Sequence, residues 1–193
     1  MTTILAELRA LVPRRPLSRE EAYRIAEQQA QRLLKYFEIQ DGPVPEMIVS
    51  DIPRIVVERM SGMPVSGASK WSGGRWLILI NDDEPLVRQR FSLAHELLHV
   101  INHPYNDFLY PFSRKEDAFL ATEQIADYFA ACLLMPKMWV KRACYKETQN
   151  SRALAQRFGV SQAAMKYRLT SLGIIEPVQQ RCAERARHTS VRG

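Results

Sequence analysis

Cysteine and histidine are scarce in this chain, with three of one and four of the other in 193 residues. Cys132, Cys144 and Cys182 are odd in number, widely spaced and form no C-x-x-C pair. That argues against a disulfide framework or a thiolate zinc site, and it suits a reducing cytosol. Long apolar runs are missing too. Those at 77–80 and 129–135 are far shorter than the about 20 residues of a membrane helix. No membrane association is expected, and the location expected is cytoplasmic. Near the start, Glu7 and Arg9 interrupt the apolar stretch and no small-residue cleavage site follows, so a secretory leader is not the reading. Ile4, Leu5, Leu8 and Leu11 predict a short amphipathic helix there instead. No internal repeat is found.

Basic residues outnumber acidic ones by 27 to 21, a net charge of +6. This permits contact with nucleic acid or an acidic partner without requiring either. Part of the excess sits in "RRP" near the start and in "QQRCAERARHTSVRG" at the end, which read as solvated tails.

The middle of the chain changes texture more than once. Ser18 with Glu21 has the form of a capping box, and apolar residues from Ala22 to Phe37 recur at helical spacing, predicting one long helix over about 19–38. "QDGPVPE" ends it. From 47 to 81, the short β-prone runs "MIV", "RIVVERM", "SKW" and "RWLILI" predict a small sheet, with "WSGGRW" as a hairpin. "NDDEP" offers Asp82 or Asp83 as an N-cap and places Pro85 in the first turn of the next helix. After a proline-marked loop, Ser113 and Glu116 suggest a second capping box for a helix running to about 135. A short helix is expected over 137–146. "SRALAQRFGVSQAAMKYRLTSLGI" then reads as two helices about a turn at Gly159, the second capped by Ser161.

Three of the four histidines fall in "RFSLAHELLHVINHP". On a helix His95 and His99 lie one turn apart, about 6 Å along the axis, on one face. Two imidazoles so placed can share a zinc ion. Glu96 lies roughly 100° round from His95, where a carboxylate can reach a metal-bound water and act as a general base. The plainer alternative is a buried helix that happens to carry histidines. A third ligand is needed. His103 continues the series but lies about 12 Å along the axis from His95, and no glycine turn bends it back; a role near the helix C-terminus accounts for it better. Glu123, in "ATEQIADYFAACLLMP", is the stronger candidate, with Asp127 one turn later placed to accept the free ring N–H of a ligating histidine. A solvated acidic edge is the competing reading for that pair.

"RFSLAHELLHVINH" followed by "EQIADYFAACLLMP" resembles the ImmA/IrrE family of bacterial zinc metallopeptidases, over about 20–175. The "LILIN" lead-in and the later "VSQAAMKYRLTSLGII" resemble it as well. The resemblance implies Zn2+ held by His95, His99 and Glu123, with Glu96 as catalytic base. It also implies a protein substrate: a helix-turn-helix transcriptional repressor, cleaved to relieve repression in mobile-element or stress responses. Asp127 stands where the family commonly has Asn, and Leu98 where it commonly has Gly. Asp keeps the acceptor, and Leu98 falls on the apolar side.

The expected architecture is α+β: a minimal zincin-like metallopeptidase of a small sheet, an H-E-x-x-H helix and a Glu-bearing helix, with a C-terminal helix-turn-helix-like unit. Its divisions are an N-terminal segment (1–17), the metallopeptidase domain (18–137), the helical unit (138–175) and a basic tail (176–193). In the helical unit Leu154, Phe158, Met165 and Leu169 should fill the core. Arg152, Arg157, Lys166 and Arg168 could touch phosphates, Lys166 and Arg168 being the weak candidates for direct DNA binding, which is not the expected role. A sheet edge near "GASKW" or "RWLILI" could align an extended substrate. Tyr105 and Tyr110 are candidates for stabilising an oxyanion. The rival reading is a DNA-binding regulator with a structural or vestigial zinc site; Glu96 argues against it, since a structural site needs no such carboxylate.

Overall fold

Ser18 does what its spacing to Glu21 predicts. Its hydroxyl accepts the backbone N–H of Glu21 at 3.2 Å, and the Glu21 carboxylate accepts that of Ser18 at 3.1 Å. This reciprocal cap starts the long second helix of the computed structural model, which describes residues 3–105 and 115–175. Its elements in chain order are α1 (Ile4–Ala10), α2 (Arg19–Tyr36), α3 (Met47–Ser50), β1 (Ile55–Met60), β2 (Gly67–Ser72), β3 (Arg75–Asn81), α4 (Leu86–Asn102), α5 (Lys115–Leu134), α6 (Lys137–Lys146), α7 (Ser151–Phe158) and α8 (Gln162–Ser171). A 3-10 turn, His103–Tyr105, follows α4. The fold is α+β, as expected.

The sheet has the order β1-β3-β2, with β3 parallel to β1 and antiparallel to β2. Gly73 and Gly74 both take positive φ (57° and 78°), the two-residue geometry that matches strand twist in a tight hairpin. Trp71 and Trp76 face each other beyond it. Trp76, Ile78 and Ile80 on β3 are buried at period two, and α4 packs against β2 and β3. Because β3 is central, "RWLILI" is not an edge; among the described strands β2 is one. "MIV" also departs from expectation. It lies in the short helix α3, where Ile48 and Val49 are buried and the Asp51 N–H bonds the Met47 carbonyl at 2.8 Å. Three β-prone residues carry no periodicity long enough to tell strand from buried helix.

The start of α4 differs as well. Pro85, not an aspartate, occupies the N-cap, with no side-chain cap bond. Asp83 instead accepts the Gly62 N–H at 2.6 Å, and its own N–H bonds the Asn81 side chain at 3.1 Å. The "NDDEP" turn is closed from the helix side: buried Gln89 donates to the Glu84 carbonyl at 2.8 Å and accepts from Arg59 at 3.0 Å. Asp83 thus holds the turn to the β1–β2 loop, and the Asp82 N–H bonds the Met60 carbonyl at the end of β1. The capping box expected at Ser113 and Glu116 lies outside the described side chains.

One hydrophobic cluster runs from Ile4 to Leu169. Contacts lead from the sheet to α4, from α4 to α5 and from α5 to α2. Leu154, Phe158, Met165 and Leu169 are all buried within this cluster, as the helix-turn-helix pattern predicts. Two arginines tie that unit down. Arg90 of α4 donates to the Gly159 carbonyl at 3.0 Å and the Val44 carbonyl at 2.7 Å. Arg168 donates to the Met135 carbonyl at 3.0 Å, beyond the end of α5.

Gly159 is required twice over. Its φ of 62° is left-handed, and an added Cβ would sit 3.3 Å from Arg90 Nε. Gly159→Ala is therefore expected to destabilise the chain by roughly 1–2 kcal/mol, seen as a lower urea midpoint at unchanged slope. An unchanged midpoint would show that the turn does not need glycine.

Candidate metal and catalytic site

Successive turns of α4 carry His95 and His99 inward because the helix is buried nearly all round. Leu93, Ala94, Leu97, Leu98, Val100 and Ile101 are all in the core. Packed beside it, α5 buries Ile125, Ala126, Phe129 and Ala130, which turns Glu123 and Asp127 toward the histidines. The His95 Nδ1–H donates to Asp127 Oδ1 at 2.8 Å. That bond fixes the tautomer and leaves Nε2 as a lone-pair donor. His95 Nε2 lies 3.0 Å from His99 Nε2 and 3.3 Å from Glu123 Oε2, and His99 Nε2 lies 3.3 Å from Glu123 Oε1.

These three side chains form a group that could hold a metal ion. Ligand atoms about 2.0–2.1 Å from a tetrahedral ion are about 3.3–3.4 Å from one another; here the two imidazole nitrogens are 3.0 Å apart and each has one of the two Glu123 oxygens at 3.3 Å. The donor chemistry agrees: two imidazole nitrogens and a carboxylate converge where protons alone leave electron pairs facing each other. Electrostatics separate the two histidines. Burial pushes His95 down, but the bond to Asp127 and the charges of Asp127, Glu123 and Glu96 outweigh it, so its pKa is raised. Burial, then the neighbouring His95, holds His99 below its usual value.

Glu96 is 9% exposed and lines the same cavity as His95 and Glu123. It lies against the first residue of β2, where a Cβ on Gly67 would meet Glu96 Cγ at 3.0 Å and Oε1 at 3.3 Å. Gly67 keeps a negative or extended φ, so the close approach, not backbone freedom, is what glycine provides here. A glycine opening a β-prone run was the only sequence signal for it. The cavity, about 1310 Å³, extends from this point past α5 to α2 and α8. Tyr23 of α2 and Tyr167 of α8 line it, and nothing in the sequence pattern marked either one.

His103 stands apart from the donor group. It is exposed, and its ring packs edge-on to Trp76 at 4.8 Å. The Tyr105 hydroxyl donates to the Arg9 carbonyl at 3.2 Å, holding α1 to the turn after α4; Tyr110 lies outside the described residues. Cys132 and Cys144 are buried free thiols with pKa values raised by burial; Cys182 lies outside the described residues. The phosphate candidates also sort themselves. Arg168 is 2% exposed beneath the chain, with its guanidinium over the Tyr128 ring, so it cannot reach a phosphate. Arg157 is paired with Asp41 and Glu147. Lys166 and Arg152 are exposed. No single helix among the described residues is long and apolar enough to cross a membrane.

Comparison with known proteins adds three findings. The model of the IrrE N-terminal-like domain (Peptidase_M78) matches residues 52–170. A "Mycobacterium tuberculosis transcriptional regulator" is similar in structure, with a TM-score of 0.59 and 18% identity, covering 75% of this chain. The chain spans 55% of that regulator's length. No curated protein matches significantly.

If Asp127 sets the ring of His95, Asp127→Ala should weaken zinc binding by about 10–100-fold. Glu123→Ala should weaken it further, and His103→Ala should leave it unchanged. Competition with a chromophoric chelator measures all three. Loss of zinc with His103→Ala but not with Glu123→Ala would move the site to a three-histidine arrangement.

Proposed function

Since the chain belongs to the IrrE N-terminal-like domain family of peptidases, we propose that it is a zinc-dependent endopeptidase that cleaves a helix-turn-helix transcriptional repressor in the cytoplasm and so relieves repression in a mobile-element or stress response. The observation that carries the reading is the convergence of His95, His99 and Glu123 at 3.0–3.3 Å beside a carboxylate that is not one of the group. His95, His99 and Glu123 would hold the zinc. When bound, zinc supplies Lewis acidity, making a water molecule acidic near neutral pH and polarising a peptide carbonyl.

Glu96 takes a proton from the attacking water as the new C–O bond forms at the scissile carbonyl. It then delivers that proton to the amide nitrogen as the C–N bond breaks, so the products are a carboxylic acid, which loses its proton to solvent, and an amine. Asp127 keeps the His95 ring oriented throughout. Among the described residues β2 is an edge strand that starts at Gly67, against Glu96, so an extended substrate pairing with that edge would pass close to the base.

The alternative, a DNA-binding regulator with a structural metal, is less well supported. The mycobacterial protein is titled a transcriptional regulator, yet at 18% identity that similarity speaks for the fold. Here Arg168 is buried and Arg157 is held by two carboxylates.

Glu96→Gln tests the mechanism. It keeps the shape but removes the base, so it should retain zinc and fold while cleavage of the repressor falls by at least about 10²–10⁴-fold. Incubation with the repressor encoded nearest the gene, followed by electrophoresis and mass spectrometry, reads the result. Cleavage at the parent rate would rule out Glu96 as the base.

A further inference from the structure

The lining of the cavity extends past the donor group to α2 and α8. The arm on that side includes Phe91, one turn before His95, and Tyr128, next to Asp127. Tyr23 of α2 meets Tyr128 edge-to-face at 4.7 Å, so its lining is partly aromatic. Val160, Ala164 and Tyr167 line it as well. These belong to the helix-turn-helix-like unit.

The helical period of α8 explains how that wall arises. Met165, Arg168 and Leu169 are buried, and Arg168 is bonded to Met135 beneath them. Ala164, Tyr167 and Ser171, spaced three and four apart, therefore fall on the other face and line the cavity. Tyr167 is 72% exposed. The second helix of a helix-turn-helix would ordinarily present its outer face to a DNA groove; here that face borders the cleft that holds Glu96 and the metal-ligand group.

We propose that this arm is a side-chain subsite for a bulky apolar residue of the polypeptide substrate near the scissile bond, with α8 as one of its walls. The occupant follows from the lining and from continuity with the site. Aromatic faces and a small residue at Ala164 leave apolar room, and three arginines (Arg19, Arg24, Arg88) share the lining with five carboxylates (Glu20, Glu27, Glu96, Glu123, Asp127). A phosphate backbone would find acidic groups, Glu123 and Asp127 among them, lining the same cavity. The helix-turn-helix-like unit thus selects substrate and does not read DNA. That the occupant is a peptide rests on the peptidase reading.

The test uses the full-length Glu96→Gln chain loaded with zinc and fluorescein-labelled dodecapeptides of one backbone sequence, with Phe, Leu, Ala or Asp placed at each position in turn. At one position Phe or Leu should bind about 10–100-fold tighter than Ala, with Asp weaker still. Ala164→Trp, which fills the arm, should bring the ratio to within about threefold. Tyr167→Asp, at an exposed position that tolerates change, should lower it in the same direction without loss of fold by circular dichroism. Tyr145→Ser, on the outer surface of α6, should leave it as it was. Retention of the full ratio in both cleft variants would overturn the subsite, as would absence of discrimination at every position. A tight, sequence-defined DNA footprint lost with Tyr167→Asp would overturn it in favour of DNA reading. Discrimination without repressor cleavage by the parent chain would defeat the peptidase reading alone, and cleavage without discrimination would defeat the subsite alone.

Discussion

The hydrogen bond from His95 to Asp127 joins the two helices on which the site is built, and the rest of the arrangement depends on α4 and α5 lying close enough to make it. Packed helices sit about 8–10 Å apart, and short side chains shorten that separation. Ala94 on α4 and Ala126 and Ala130 on α5 are among the small residues buried in these two helices. The bond does more than orient a ring. By fixing the proton on Nδ1 it aims the Nε2 lone pair at His99 and Glu123, so a single 2.8 Å contact sets the chemistry of three side chains.

Arginines that donate to backbone carbonyls add to the hydrophobic core in keeping the helices in place. Arg9 bonds the Val100 and Ile101 carbonyls near the end of α4, Arg168 the Met135 carbonyl past the end of α5, and Arg90 the turn between α7 and α8. The last carbonyls of a helix have no partner within it, and a cation at that end is also favoured by the helix dipole. Burial lowers the Arg9 pKa, yet a guanidinium stays charged throughout the accessible range. Of the four basic side chains read as possible phosphate contacts, Arg157 and Arg168 are engaged within the fold instead.

The C-terminal unit takes its meaning from the same geometry. Its hydrophobic residues join the core that contains α4 and α5, so it is fixed relative to the site. The helix face left over borders the cleft. A fold motif associated with DNA reading carries no such commitment by itself, since function resides in the residues presented and in what they face.

Local pattern determined much of this protein. The capping box at Ser18, the hairpin at Gly73 and Gly74, the turn at Gly159 and the H-E-x-x-H spacing of His95, Glu96 and His99 are read within a few residues, because each depends on the dihedral angles and periodicity of its own segment. The pairing of Glu123 with the histidines was also legible, though as a choice among acidic residues and His103 that spacing narrowed without closing. Tertiary structure decided the remainder. Three apolar residues, Met47 to Val49, became helix because burial among neighbours, not intrinsic preference, governs so short a run. Asp82 and Asp83 lost the cap to Pro85 because partners in the β1–β2 loop and Gln89 engaged the turn. Arg168 went inside because a carbonyl 33 residues earlier awaited a donor. Gly67 met Glu96 only because β2 runs beside α4. Each of these depends on which distant segment arrives alongside, and that is settled by packing the whole chain at once.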